Sequence, residues 1–253
     1  MLRDISDRKR NERVAGDIQQ GMLSSRADLA SLAPGVEVDA VLMPARTIGG
    51  DFYDAFMAGP DQLCFLLGDV TGKGMPAALF MALSKALSHS VLARAPEDLG
   101  AALGAIGAEL ARNNREAMAV SMMAGVLDIR TGQLTLCNAG HDDPLLLLPD
   151  GSVEDIVLEG GPPLCAAPDY AYPVETRQLP PGATLLAVTD GVTEAQGPRG
   201  DLFGRERLRK ALAARAAEPA LPALVDGVVS VVRRFEARGE PSDDLAILAI
   251  RRV

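Results

Sequence analysis

Between Met118 and Thr189 the chain alternates short apolar runs with turns too tight to reach anything but a neighbouring strand. Residues 120–129 lead through Arg130-Thr131-Gly132 into 133–139, and residues 145–148 lead through Asp150-Gly151 into 153–158. Asp-Gly between apolar runs is a strong hairpin signal, because the two-residue turn that suits twisted strands needs positive φ. Parallel neighbours would need crossovers of about a dozen residues, so this half of the chain predicts antiparallel sheet. The Pro- and Gly-rich stretch 160–168 leads to a strand near 170–178, and Pro180-Pro181-Gly182 turns the chain into 183–189, apolar on both faces and therefore central.

Upstream, strands are expected over residues 36–43, 51–57 and 63–70. Two helices follow. The first spans 76 to about 93, with Leu79, Leu83, Leu87 and Val91 as the face expected to pack on a sheet. The second spans about 96–112, with Leu99, Leu103, Ile106 and Leu110 in register. Near the C-terminus, helices over 203–216 and 221–238 precede a last strand over 245–250. A chain of 253 residues can bury a large core, and this pattern divides it into a helical extension, residues 1–25, and one catalytic-size domain, residues 26–253.

The extension is charged through Arg13 and then carries Val14, Ile18 and Met22 at four-residue spacing, a helix with one apolar stripe and Ser6 or Asp7 as its cap. Nothing local covers that stripe, which predicts a homodimer through this helix or its packing on the domain as a switch. Its first residues resemble the D-I-T-E-R-K-R tail that commonly ends a PAS sensor domain, which implies an upstream sensor in a longer protein.

Charge narrows the function classes. A net charge of -9 and a pI near 4.8 argue against nucleic acid as a partner. No apolar run approaches the roughly 20 residues that span a bilayer, so the expected location is cytoplasmic, without a membrane span. Cys64, Cys137 and Cys165 lack C-x-x-C spacing and read as reduced thiols. With only His89 and His141 and no H-E-x-x-H or G-x-S-x-G pattern, zinc and serine-hydrolase chemistry are poorly supplied. Gly49-Gly50-Asp51 is not followed by the residues of a diguanylate cyclase signature, and Gly72-Lys73-Gly74 lacks the Ser or Thr of a Walker loop.

Carboxylates remain, and they stand in one architectural position. Asp51 lies in IGGDFYD, Asp69 in GDVTGKG, Asp190 in VTDGVTEA and Asp243 in PSDDLAIL, each beside a strand end and most beside a glycine. One such Asp is a turn or cap residue as readily as a ligand. Four of them, from separate strands, describe a site for hard divalent cations, with glycine letting metal and phosphate approach the backbone.

IGGDFYD, GDVTGKGMPAAL, NAGH (138–141), GGPPL (160–164), VTDGVTEA, FGRERL (203–208) and PSDDLAIL together resemble the ordered motifs of bacterial PPM-type protein serine phosphatases of the SpoIIE/RsbU group, from about Val14 to the C-terminus. The resemblance implies an α+β fold, an αββα sandwich of two antiparallel sheets flanked by helices, with two Mn²⁺ or Mg²⁺ ions at one edge. It implies Asp69 as the carboxylate bridging both metals, the Val70 carbonyl as a further ligand, and Asp51, Asp190 and Asp243 as the remaining ones, with Asp244 beside them. Water activated by such a metal pair would attack the phosphoryl group in line. Lys73 stands where eukaryotic relatives carry a histidine proposed as proton donor, and is a catalytic candidate as acid or as phosphate-facing cation. Arg46 lies near the position of their phosphate-clamping arginine. Asn138 and His141 are expected to serve turn or core hydrogen bonds. The implied substrate is a phosphoserine or phosphothreonine on a STAS-type anti-anti-sigma regulator; the competing expectation is a degenerate module that binds a phosphoprotein without turnover.

Overall fold

The computed structural model describes residues 13–112, 114–167, 169–237, 239 and 241–253. Its strands form two five-stranded sheets in which all neighbours are antiparallel. In one sheet β1 (Val36–Met43), β10 (Leu245–Arg252), β9 (Thr184–Val188), β6 (Leu145–Leu147) and β7 (Val153–Asp155) lie side by side. The other is ordered β2 (Phe52–Met57), β3 (Gln62–Val70), β4 (Val120–Asp128), β5 (Gln133–Ala139) and β8 (Val174–Gln178). Helices α3 (Met75–Leu92) and α4 (Leu99–Ala111) cover the second sheet, while α6 (Gly204–Ala213) and α7 (Leu221–Glu236) cover the first.

Three apolar layers hold this αββα sandwich together, and strand alternation explains them. Leu67, Leu185 and Leu248 point into the layer between the sheets; their neighbours Leu66, Leu186 and Ile247 point outward under the helices. The central strands are thus buried on both faces, which is why they read as unbroken apolar runs. Each Leu or Phe so enclosed contributes about 1.5–3 kcal/mol relative to exposure. On the helix side, Leu99, Leu103, Ile106 and Leu110 of α4 are all buried, as their spacing predicts, and Asp98 caps the helix by accepting the Ala101 N–H at 3.0 Å. Capping by Asp98 places the start of α4 at Leu99, later than the sequence suggested.

The face of α3 is a correction. Leu79 and Leu83 are 65% and 52% exposed, Leu87 and Val91 are half-buried against the core, and the buried face is Ala77, Ala78, Phe80, Met81, Ser84, Lys85, Ser88 and Leu92. Small residues let this helix approach the sheet, and Lys85 is buried because its ammonium meets the buried Asp54 carboxylate at 3.0 Å, beside His89 at 2.8 Å. A buried cation needs such a partner. A reading that weights Leu above Ala selects the opposite side. By length and composition alone α3, eighteen residues with a mean hydropathy of 1.2, is apolar enough to cross a membrane. Its place in the fold is the helical layer on β2 and β3.

Smaller differences lie at the edges. β7 and β8 are shorter than expected, and two short helices, α2 (Arg26–Ala30) and α5 (Asp190–Thr193), escaped notice. Residues 13–21 are helical, here α1, and Val14 and Ile18 on it are exposed. The PAS-like tail and the cap at Ser6 or Asp7 fall outside the described residues.

Candidate metal centre

The four aspartates arrive at one end of the sandwich from both sheets. Asp51 immediately precedes β2 and Asp69 is the penultimate residue of β3; Asp190 opens α5 directly after β9, and Asp243 leads toward β10. They divide into an inner and an outer pair.

The inner pair is enclosed. Asp51 is 2% exposed and accepts a hydrogen bond from Thr189 Oγ1 at 2.7 Å; Thr189 in turn accepts the Ala246 N–H at 3.0 Å, so both sheets hold this carboxylate. Asp51 and Asp69 act on each other as neighbouring carboxyl groups. Burial first, then the neighbouring Asp69 charge, holds the Asp51 carboxyl well above the usual range. Burial and then Asp190 push Asp69 up to about 7.

Gly49 and Gly50 make this approach possible. A Cβ on Gly50 would lie 2.7 Å from the Val70 carbonyl oxygen and 2.9 Å from Asp69 Oδ1; one on Gly49 would lie 1.9 Å from Asp244 Oδ2. Asp244 itself is committed to the backbone of this loop, its two oxygens accepting the Ala45 and Gly50 N–H groups, each at 2.8 Å. Both residues line the cleft, and Asp243 is the one whose side chain is half exposed.

The outer pair is open. Asp190 is exposed, and its pKa is nonetheless raised, by lost hydration and then by Asp243 and Glu194. Asp243 has 47% of its side chain exposed and meets Lys73 Nζ at 3.1 Å, while the same ammonium donates to the Ser242 carbonyl at 3.0 Å. An exposed ion pair of this kind is worth little, about 0–1 kcal/mol, and exchanges readily. Asp69, Lys73, Asp243 and Arg46 line one cleft of about 370 Å³.

Among the described residues no three carboxylates close on a single point, and Asp243 is turned to Lys73. Three raised aspartate pKa values nevertheless mark a cluster short of positive charge. Its donors are all hard oxygens, and a main-chain carbonyl joins a carboxylate over Gly50. That donor set fits Mg²⁺ or Mn²⁺.

Asn138 and His141 serve the fold, as their context suggested. Asn138 Oδ1 accepts the His141 N–H at 2.7 Å and its amide donates to the His141 carbonyl at 2.9 Å. The His141 ring packs behind the site, its Nδ1 3.1 Å from the hydroxyl of Ser121, the residue paired with Asp69 across β3 and β4. Burial lowers its pKa to about 4, so the ring is neutral. Met81, Met122 and Met123 are core residues, and Cys64 and Cys137 are buried thiols pushed up to about 12. Sequence reasoning missed Thr189, although it directly precedes Asp190 in VTDG.

Comparison with known proteins agrees with this geometry. The family model described as stage II sporulation protein E (SpoIIE) matches residues 59–253. The chain is 31% identical over 206 residues to Protein IcfG of Synechocystis sp., a match covering 70% of this chain and 32% of that protein. It is 26% identical over 206 residues to Phosphoserine phosphatase RsbU of Bacillus subtilis, covering 79% of this chain and 59% of that protein. The chain thus spans less than two thirds of either relative. Among solved structures, the SiaA PP2C domain of Pseudomonas aeruginosa superposes with a TM-score of 0.84 at 25% identity, over 99% of this chain and 98% of that one. The RsbU and RsbW domains of Rv1364c from Mycobacterium tuberculosis give 0.77 at 28% identity, over 87% of this chain and 61% of that one.

Proposed function

This chain belongs to the SpoIIE family of PP2C-type serine/threonine phosphatase domains, and from that premise we propose that it hydrolyses phosphoserine or phosphothreonine in a phosphoprotein with two Mn²⁺ or Mg²⁺ ions as cofactors. One observation carries the reading: Asp51 and Asp69, raised in pKa by burial and by neighbouring carboxylates, stand with Asp190 and Asp243 at one end of the sandwich, with Lys73 and Arg46 as cations in the adjoining cleft.

Asp69 would bridge the two ions, with Asp51, Asp190, Asp243 and the Val70 carbonyl completing the protein's share of the ligands. When bound, such ions lower the pKa of water and polarise phosphoryl oxygens. The chain's own contribution is placement. Thr189 and the hydrogen-bonded Gly49-Gly50 backbone fix Asp51, while β3 and its pairing with β4 fix Asp69. Among the described residues Lys73 is held over the cleft by Asp243 and the Ser242 carbonyl, so a phosphate oxygen can take the place of the Asp243 carboxylate. Arg46, exposed on the loop before Asp51, is available for a second, bidentate contact.

A STAS-type anti-anti-sigma regulator in the cytoplasm is the substrate that the motif resemblance supports, with residues 1–25 as the signalling segment through which an upstream sensor or a second copy acts. Release of phosphate from an aryl phosphate and from a phosphorylated STAS protein, with Mn²⁺ and with chelator, tests the reading. Metal-dependent release from both is expected. A protein that binds Mn²⁺ and the phosphoprotein but releases nothing would be a degenerate binding module instead.

A further inference from the structure

The peptide groups of Gly49 and Gly50 can be followed one by one. Gly50 N–H goes to Asp244 Oδ2 at 2.8 Å, and Gly50 C=O accepts the Val70 N–H at 3.3 Å. The two remaining groups go to one side chain: Gln19 on α1 accepts the Gly49 N–H through Oε1 at 3.1 Å and donates from Nε2 to the Gly49 carbonyl at 2.6 Å. The Gln19 amide therefore pairs with the loop as a neighbouring strand would. Close approach supports this contact, since a Cβ on Gly16 would lie 2.5 Å from the Thr47 carbonyl oxygen.

From this pairing we infer that Gln19 is a positioning residue of the metal centre: it holds the Gly49-Gly50 peptides, and through them the carboxylate of the next residue, Asp51. All four polar groups of the dipeptide are satisfied, each pair from a different segment, so the loop has one hydrogen-bonded arrangement. Removing the Gln19 amide frees the Gly49 peptide groups and leaves Gly50 held by Asp244 and Val70 alone. Because glycine has the widest choice of backbone conformation, the freed segment spreads over many states, and Asp51 is displaced with it. The chain just after α1 stays anchored without this contact, because Arg26 at the start of α2 bridges Asp39 at 3.1 Å and Asp226 at 2.7 Å, and the Tyr53 hydroxyl donates to the Ser24 carbonyl at 2.8 Å.

The inference rests on the proposed metal site, and its test keeps the two apart. In the full chain, Gln19→Met keeps the length and loses both hydrogen bonds; Gln19→Glu keeps the acceptor for Gly49 N–H and loses the donor. Gln20→Met, on an exposed position of the same helix, is the control. Mn²⁺ affinity is measured by calorimetry, backbone exchange over residues 45–51 by hydrogen–deuterium exchange, and apo-protein melting alongside. Both Gln19 variants should bind Mn²⁺ about tenfold more weakly, the size typical of lost outer-shell support for metal ligands. Residues 45–51 should exchange faster, and the Gln20 control should match the parent. Parent-like Mn²⁺ affinity in both Gln19 variants, whatever happens to melting, would overturn the inference and leave Gln19 as an anchor for α1. A parent that binds no Mn²⁺ would overturn the metal site itself, and this inference with it.

Discussion

Asp51 and Asp243 flank Asp69 from the two sheets, yet they are held in opposite ways. Asp51 is 2% exposed, bonded to Thr189, and follows a dipeptide with every polar group occupied. Asp243 has 47% of its side chain in solvent and one ion pair, to a lysine that is itself 48% exposed. The inner half stores electrostatic repulsion in a rigid frame; the outer half is free to rearrange when a phosphate competes for Lys73. A hydrolytic site needs both, since ligands that shift lose the metal and a closed cleft admits no substrate.

Charge removal from the two halves should produce the largest contrast. Asp69→Asn and Asp51→Asn should abolish Mn²⁺ binding and lower phosphate release at least about 10³-fold, because metal catalysis supplies several kcal/mol and each 1.36 kcal/mol is tenfold. Asp243→Asn, at the exposed position, should cost about 10- to 100-fold and be partly recovered by raising Mn²⁺. If Asp243→Asn is as damaging as Asp69→Asn at every Mn²⁺ concentration, the division into rigid and adjustable halves is wrong.

The next largest effect concerns Lys73. With phosphate orientation as its role, Lys73→Ala should raise KM about tenfold with a smaller change in kcat, and Lys73→Arg should retain most activity. Equal, large losses of kcat in both variants would assign proton transfer to the lysine and tie the outer half directly to the chemistry.

Smallest in size is the effect on the apo protein. The folded-state pKa of Asp69 is raised to about 7, above its ordinary value, so between about pH 4 and 7 the native state binds more protons than the unfolded one. Stability from this group is therefore present at low pH and lost as pH rises through 7. Metal-free protein should melt lower at pH 7.5 than at pH 5.5, and Asp69→Asn should reduce that dependence and raise the pH 7.5 melting temperature by a few degrees, about 2–4 °C for each kcal/mol in a chain of this size. A variant that melts below the parent at pH 7.5 would show that the inner pair carries no such strain.

Much of this was legible in the sequence. Strand spans and the buried face of α4 follow from period and turn chemistry, because the residues that set them are large and apolar. α3 was not, because small and polar residues, Ala77, Ala78, Ser84 and a paired Lys85, fill much of its buried side, while Leu79 and Leu83 face outward. The aspartates could be placed at strand ends because glycines and apolar runs frame them. That Asp244 is taken up by backbone hydrogen bonds while Asp243 is half exposed left no mark in the sequence, since adjacent residues differ only in direction. Gln19 left no signal at all: it is one polar residue on a polar helix, and its partners are backbone groups thirty positions away.

Calorimetric titration of the metal-free chain with Mn²⁺ at pH 6 and pH 8, in buffers of different ionisation heat, tests the central claim most directly. Two ions per chain should bind, with protons released at pH 6 and few at pH 8, because Asp69, its pKa raised to about 7, must lose its proton to become a ligand. Asp69→Asn should lose both the binding and the proton release. An Asp69→Asn variant that binds two Mn²⁺ ions with parent affinity and parent proton release would contradict the assignment of this site.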